Sequence, residues 1–202
     1  DTNKQPVYQA GGFGGNNLPS VQFDGVVDYA QADQLVLDES ASAQTIVIVN
    51  SIEARTSSGG IIGHYNSDYG IRENSTGWTS TGNGNDFTNP AGSEFYVNGE
   101  ATGNVGVQTP HIVSAVRASA MTWAATGLGN YFYNSVHAAR PYRGDIAEVL
   151  VFDRALNTAE LRILENSLSA KYDIGLAEHD YYAGDTAANG DYDLDVVGIG
   201  RA

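Results

Sequence analysis

A chain of 202 residues, 42% of them hydrophobic, is long enough for one all-β sandwich, alone or with an attached piece. Its 24 acidic against 10 basic residues, a net charge of −14, exclude a nucleic-acid-binding role, because phosphates demand clustered Lys and Arg, and disfavour anionic membrane surfaces. The absence of Cys excludes disulfides and thiolate metal sites but leaves secretion open.

Low charge (17%) with 24 Gly is the composition of short strands joined by polar turns. The acid excess fits solubility in a salty or extracellular setting, or Ca²⁺ binding through oxygen ligands. No signal peptide or transmembrane run is visible, and the chain opens at Asp1 without Met. An excised domain or processed segment of an extracellular protein is therefore expected, without membrane insertion and with its targeting signals elsewhere.

The first eighteen residues, rich in Gly and Asn (Gly11 to Asn17), read as a loop leading into a strand. Strand candidates then follow at close intervals: Val21–Phe23, Val26–Ala30, Thr45–Ile52, Ile61–Tyr65, Tyr69–Arg72, Glu94–Val97, His111–Arg117, Tyr131–Tyr133 and Ile146–Phe152. Asp24-Gly25, Ser58-Gly59-Gly60, Asn83-Gly84-Asn85, Asn98-Gly99 and Gly127 to Gly129 supply the turns. Thr45–Val49 and Ile146–Phe152 are nearly continuous apolar or β-branched runs, as expected of central strands covered on both faces. Glu73 to Gly92, poor in aliphatics, reads as a long loop region holding Trp78 and Phe87. One helix is predicted from Thr158 to about Lys171. Asn157 is its N-cap, Glu160 completes a capping box, and Leu161, Leu164, Leu168 and Tyr172 form one apolar stripe. It is expected to lie across a sheet edge or end. Residues 1–177 are assigned to the sandwich, and the acidic stretch 178–202 to an extra strand or the start of a following module.

The stretch from Tyr142 to Leu161 contains Gly144-Asp145-Ile146-Ala147-Glu148 and Asp153-Arg154-Ala155-Leu156. It resembles the closing segment of laminin G-like, concanavalin A-like jelly rolls, in which a Gly-x-Ile-x-Glu start leads into the last core strand, a turn and a short helix. Val21 to Gly25, with Asp28-Tyr29-Ala30 behind it, and Phe95-Tyr96-Val97-Asn98-Gly99 match further pieces in order. The resemblance spans roughly residues 21–174. It implies a jelly-roll β-sandwich with one short C-terminal helix, of the kind found in bacterial adhesin-type multidomain surface proteins, where such domains bind glycans or act as spacers. The expected partners are a glycan or cell-surface ligand and neighbouring domains of the same polypeptide.

Some relatives hydrolyse glycosides with paired acids on one strand. By strict alternation Glu148 and Asp153 point to opposite faces, while Asp145 and Asp153 share a face about 26 Å apart at ~3.3 Å per residue, too far for a glycosidase pair. No Ser/His/Asp set or nucleotide-binding motif occurs, so a non-catalytic module is expected, with a spacer or a glycoside hydrolase as alternatives. Asp153 and Arg154 are expected to hold the turn before the helix. For stacking on sugar faces and hydrogen bonding to hydroxyls the candidates are Trp78, Trp123, Tyr131, Tyr133, Asn134 and Arg140. Two Ca²⁺ sites are candidates: Asp24 with Asp145, whose strands lie close together in the family, and the oxygen-rich loop holding Asp185, Asp191 and Asp193. That loop fails the EF-hand pattern at Ala187 and Val196. The four His residues show no zinc spacing.

Overall fold

The computed structural model describes residues 6–25, 42–54, 59–64, 70–74, 77–79, 91–101, 106–122, 126–131, 140–182 and 188. Its elements run β1 (Val7–Phe13), β2 (Leu18–Asp24), β3 (Ser42–Ile52), β4 (Gly60–His64), β5 (Gly70–Asn74), β6 (Gly77–Thr79), β7 (Glu94–Val97), β8 (Pro110–Thr122), β9 (Thr126–Leu128), β10 (Asn130–Tyr131), β11 (Arg140–Pro141), β12 (Arg143–Phe152) and α1 (Thr158–Tyr172). A six-stranded antiparallel sheet has the order β1-β2-β12-β3-β8-β7. A four-stranded sheet is ordered β6-β5-β4-β9, and β10-β11 form a two-stranded ribbon. The expected strand Val26–Ala30 lies outside the described residues.

The apolar run of β3 is covered on both sides, as its composition predicts. Ile46, Ile48 and Ile52 join Phe23, Val113, Tyr142 and Ile146 in one cluster, together with Ile61, Ile62 and Ile71 from β4 and β5. Alternation turns Val47 and Val49 the other way, beside Phe13, Ile112 and Val116. That second face would be left in water without a cover, and α1 supplies one. Leu161, Leu168 and Tyr172 bury against it. The helix therefore lies on the sheet face, not across an edge or end.

Local chemistry sets the boundaries. Asn157 accepts from the Glu160 amide and Glu160 accepts from the Asn157 amide, the full capping box. Arg154 pairs with the same Glu160 carboxylate at 2.7 Å, holding the entry turn closed. Asn98 and Gly99, at φ 49° and 81°, make the two-residue turn between Val97 and Glu100, whose backbones bond to each other in both directions.

Three expectations need correction. The Gly-rich start is no loop: Val7–Phe13 is an edge strand paired with β2, and Gly14 to Asn17 form the hairpin turn. The polar stretch after Glu73 contains a strand, Gly77–Thr79, paired with β5. Finally, a bulge at Ala147 shifts the β12 register, so that Ile146 faces Asn50 but Glu148 faces Val49. One inserted residue reverses the alternation. Asp145 and Glu148 consequently share a face, the one that carries α1.

Candidate functional site

Along the helix-covered face, side chains switch from apolar to polar. On β2 the sequence passes from Leu18 to Ser20 and Gln22, on β3 from Val49 to Ser51, and on β12 from Leu150 towards Asp145. The register sets Asp145 opposite both Gln22 and Ser51. The polar half lies beyond the reach of α1 and forms a cavity of about 360 Å³, lined by Gln9, Ser20, Gln22, Ser51, Gln108 and Asp145 with parts of the Gly11–Gly14 backbone. Phe13 and Pro110 add apolar wall. Gly12 stands beside open space, since a Cβ there would meet nothing within 4 Å.

Asp145 is the single charged side chain among these lining residues. Ser20 Oγ donates to its Oδ1 at 3.1 Å and Ser51 Oγ to its Oδ2 at 3.5 Å. Gln9 donates to the Gln22 carbonyl oxygen at 3.0 Å, which fixes both amides at the rim. Below this floor Tyr142 is fully buried, donating to the Ser51 carbonyl and accepting from Asn50. The frame that carries Asp145 is thus tied on both sides.

Burial pushes the Asp145 carboxyl above the ordinary carboxylate range; the two serine hydrogen bonds oppose the rise, and the charge of Glu53 adds to it. A raised folded-state pKa means the native protein holds this proton more tightly than the unfolded chain does. The resulting stabilisation is complete below the unfolded value, near ~3.9, and is lost as pH climbs through the raised folded value. Asp145→Asn is therefore expected to gain melting temperature relative to the parent at about pH 7, and to gain less at about pH 3. Equal gains at the two pH values would refute that coupling.

Glu148, on the same face, is committed elsewhere. Its Oε2 accepts from Lys171 at 2.8 Å and from the Tyr172 hydroxyl at 2.9 Å, so it anchors the end of α1 to the sheet. Arg143, two residues before Asp145, is likewise taken up by Glu53 at 2.7 Å.

Of the residues singled out in the sequence, the described ones fall on several strands. Trp78 sits on β6 opposite Glu73. Tyr131 and Arg140 are register partners where β10 pairs with β11. Trp123, Tyr133, Asn134, Asp185, Asp191 and Asp193 lie outside the described residues. Asp24 and Asp145 do lie on adjacent strands, but Asp24 is exposed and opposite Arg143. Among the described residues no three His, Asp or Glu side chains are grouped to hold a metal. One carboxylate with two serine hydroxyls and amides fits poorly to Ca²⁺, which takes six to eight oxygens.

Gln9, Ser20, Gln22, Ser51 and Gln108 escape a reading of the sequence because each is an ordinary polar residue. The signal was the loss of apolar character at face positions of β2, β3 and β12 over the same stretch. Among the described residues no helix is long and apolar enough to cross a membrane. No protein-family model matches the chain, nor does any curated protein or any solved structure.

Proposed function

We propose that the chain is a non-catalytic binding module of an extracellular surface protein, built as a lectin-like jelly-roll sandwich, which takes a hydroxyl-rich ligand such as a glycan in the Asp145 cavity. The sandwich reading is supported by the apolar cluster that β4 and β5 share with the six-stranded sheet. The observation that carries the binding reading is the cavity's lining. Amides, hydroxyls and one half-buried carboxylate offer both donors and acceptors, with Pro110 adding an apolar wall.

Hydrolysis is the second reading, because the bulge puts Asp145 and Glu148 on one face. It is weaker, since both Lys171 and Tyr172 hold Glu148. Two-carboxylate chemistry needs the second acid free to act as base, nucleophile or proton donor.

A glycan array with the parent chain and Gln22→Trp provides the test. Binding by the parent that Gln22→Trp abolishes, with no oligosaccharide cleaved, is the expected result. No glycan bound would favour the spacer, and turnover lost in Glu148→Gln would favour the hydrolase. Calcium is part of the proposal through Asp185, Asp191 and Asp193. A melting temperature unchanged by EDTA would remove it.

A further inference from the structure

Resting on the reading of the Asp145 cavity as the binding site, we propose that its ligand presents a primary ammonium group, read by Asp145. Three observations converge. First, the described lining residues include no Lys, Arg or His, so the one formal charge among them is negative. Second, Arg143, two residues away on β12, and Lys171, which pairs with a carboxylate on the same face, are each engaged by a carboxylate other than Asp145, Glu53 and Glu148 respectively. Among the described residues Asp145 has hydroxyl partners but no cationic one. Third, the Ser20 and Ser51 hydroxyls and the Gln9 and Gln22 amides beside Asp145 offer oxygen acceptors for the other ammonium hydrogens.

A carboxylate in a polar cavity that has no counter-ion among the described residues is an attractive site for a cation. The two serine hydroxyls and the rim amides suit an ammonium group carried on a polar scaffold. A carboxylated ligand would meet Asp145 with like charge and no compensating base, and is rejected. Two carriers share the chemistry: an amino sugar with its nitrogen unacylated, and a lysine side chain.

Titration calorimetry on the 202-residue chain separates them, using a glucosamine tetramer, an N-acetylglucosamine tetramer, a galacturonate tetramer and trilysine. The expected result is binding of an ammonium carrier at least about tenfold tighter than the N-acetylated tetramer, no binding of galacturonate, and loss of that preference in Asp145→Asn. Binding of the glucosamine tetramer identifies a sugar carrier, and binding of trilysine alone a peptide. Either result supports the ammonium site, though the second would displace the glycan reading. Equal affinity for acetylated and free amines, or a preference untouched by Asp145→Asn, would overturn the ammonium site. If Gln22→Trp still abolished such binding, the cavity itself would stand. Should none of the four probes bind, the ammonium proposal fails. The glycan array, which samples other sugars, then decides separately whether the cavity binds a glycan at all.

Discussion

Arg162→Met is expected to cost about 3–5 kcal/mol of folding stability, the penalty of leaving a buried carboxylate without its partner. Arg162 and Glu165 stand one turn apart on α1, on the side where the chain folds back over the helix. Glu165 is fully buried and Arg162 is 9% exposed. One guanidinium nitrogen donates to Glu165 Oε2 at 2.6 Å and to the Gly99 carbonyl at 2.9 Å, while the guanidinium lies 4.7 Å from the centre of the Tyr96 ring. Removing it strands two buried acceptors at once. The pair itself is imperfect, since Arg162 Nε and Glu165 Oε1 have no partner. Replacing both residues, as Arg162→Met with Glu165→Leu, should therefore recover most of the loss. Urea unfolding with a common m value measures both. A double variant as unstable as the single one, or a single change costing under about 1 kcal/mol, would refute this account of the pair.

The same region shows why part of the molecule was legible in the sequence and part was not. The Asn157 and Glu160 cap, the Asn98-Gly99 turn and the β3 run are local patterns, each complete within a few residues, and each appears where its residues stand. Arg162 and Glu165 have no local pattern that marks them as buried. What buries them comes from far away: Tyr96 and Gly99 on one side, and on the other a segment that Asn166 fastens. Asn166 donates to the His179 carbonyl and accepts from the Tyr181 and Tyr182 amides. Residues 178–182 are thus bonded to α1. The cavity was hidden for the same reason, since its walls come from β1, β2, β3, β12 and the approach to β8. The bulge at Ala147 is a different failure. Alternation gives the face of every residue until one is inserted, and no residue type near Ala147 announces the insertion.

Gly14→Ala is the sharpest test of the Gly-rich start, and is expected to cost about 2–4 kcal/mol and loosen α1 from the sheet. Gly14 has φ +68°, where an L side chain is strained, and a Cβ there would run into the Tyr172 carbonyl oxygen. The obstacle is backbone, so no rotamer change can relieve it. That carbonyl also accepts from the Gly15 amide at 3.0 Å, while the Asn16 side chain donates to the carbonyls of Ala170 and Lys171 at 3.0 and 3.1 Å. The hairpin turn therefore satisfies carbonyls that the end of α1 leaves without helical partners. Moving it even slightly breaks those bonds together with the edge contact between Phe13 and Tyr172, whose rings sit 5.7 Å apart. Gly12→Ala is the control. It too has a positive φ, +101°, but open space where the Cβ would go, so it should lose only the conformational part of the penalty. Urea unfolding compares the two, and amide hydrogen exchange on Leu168 to Tyr172 reports the docking of α1. Faster exchange there in Gly14→Ala and not in Gly12→Ala would mean that the turn, beyond lining part of the cavity, holds the end of α1 on the sheet. Equal losses in the two variants would reduce the Gly14 effect to backbone strain alone.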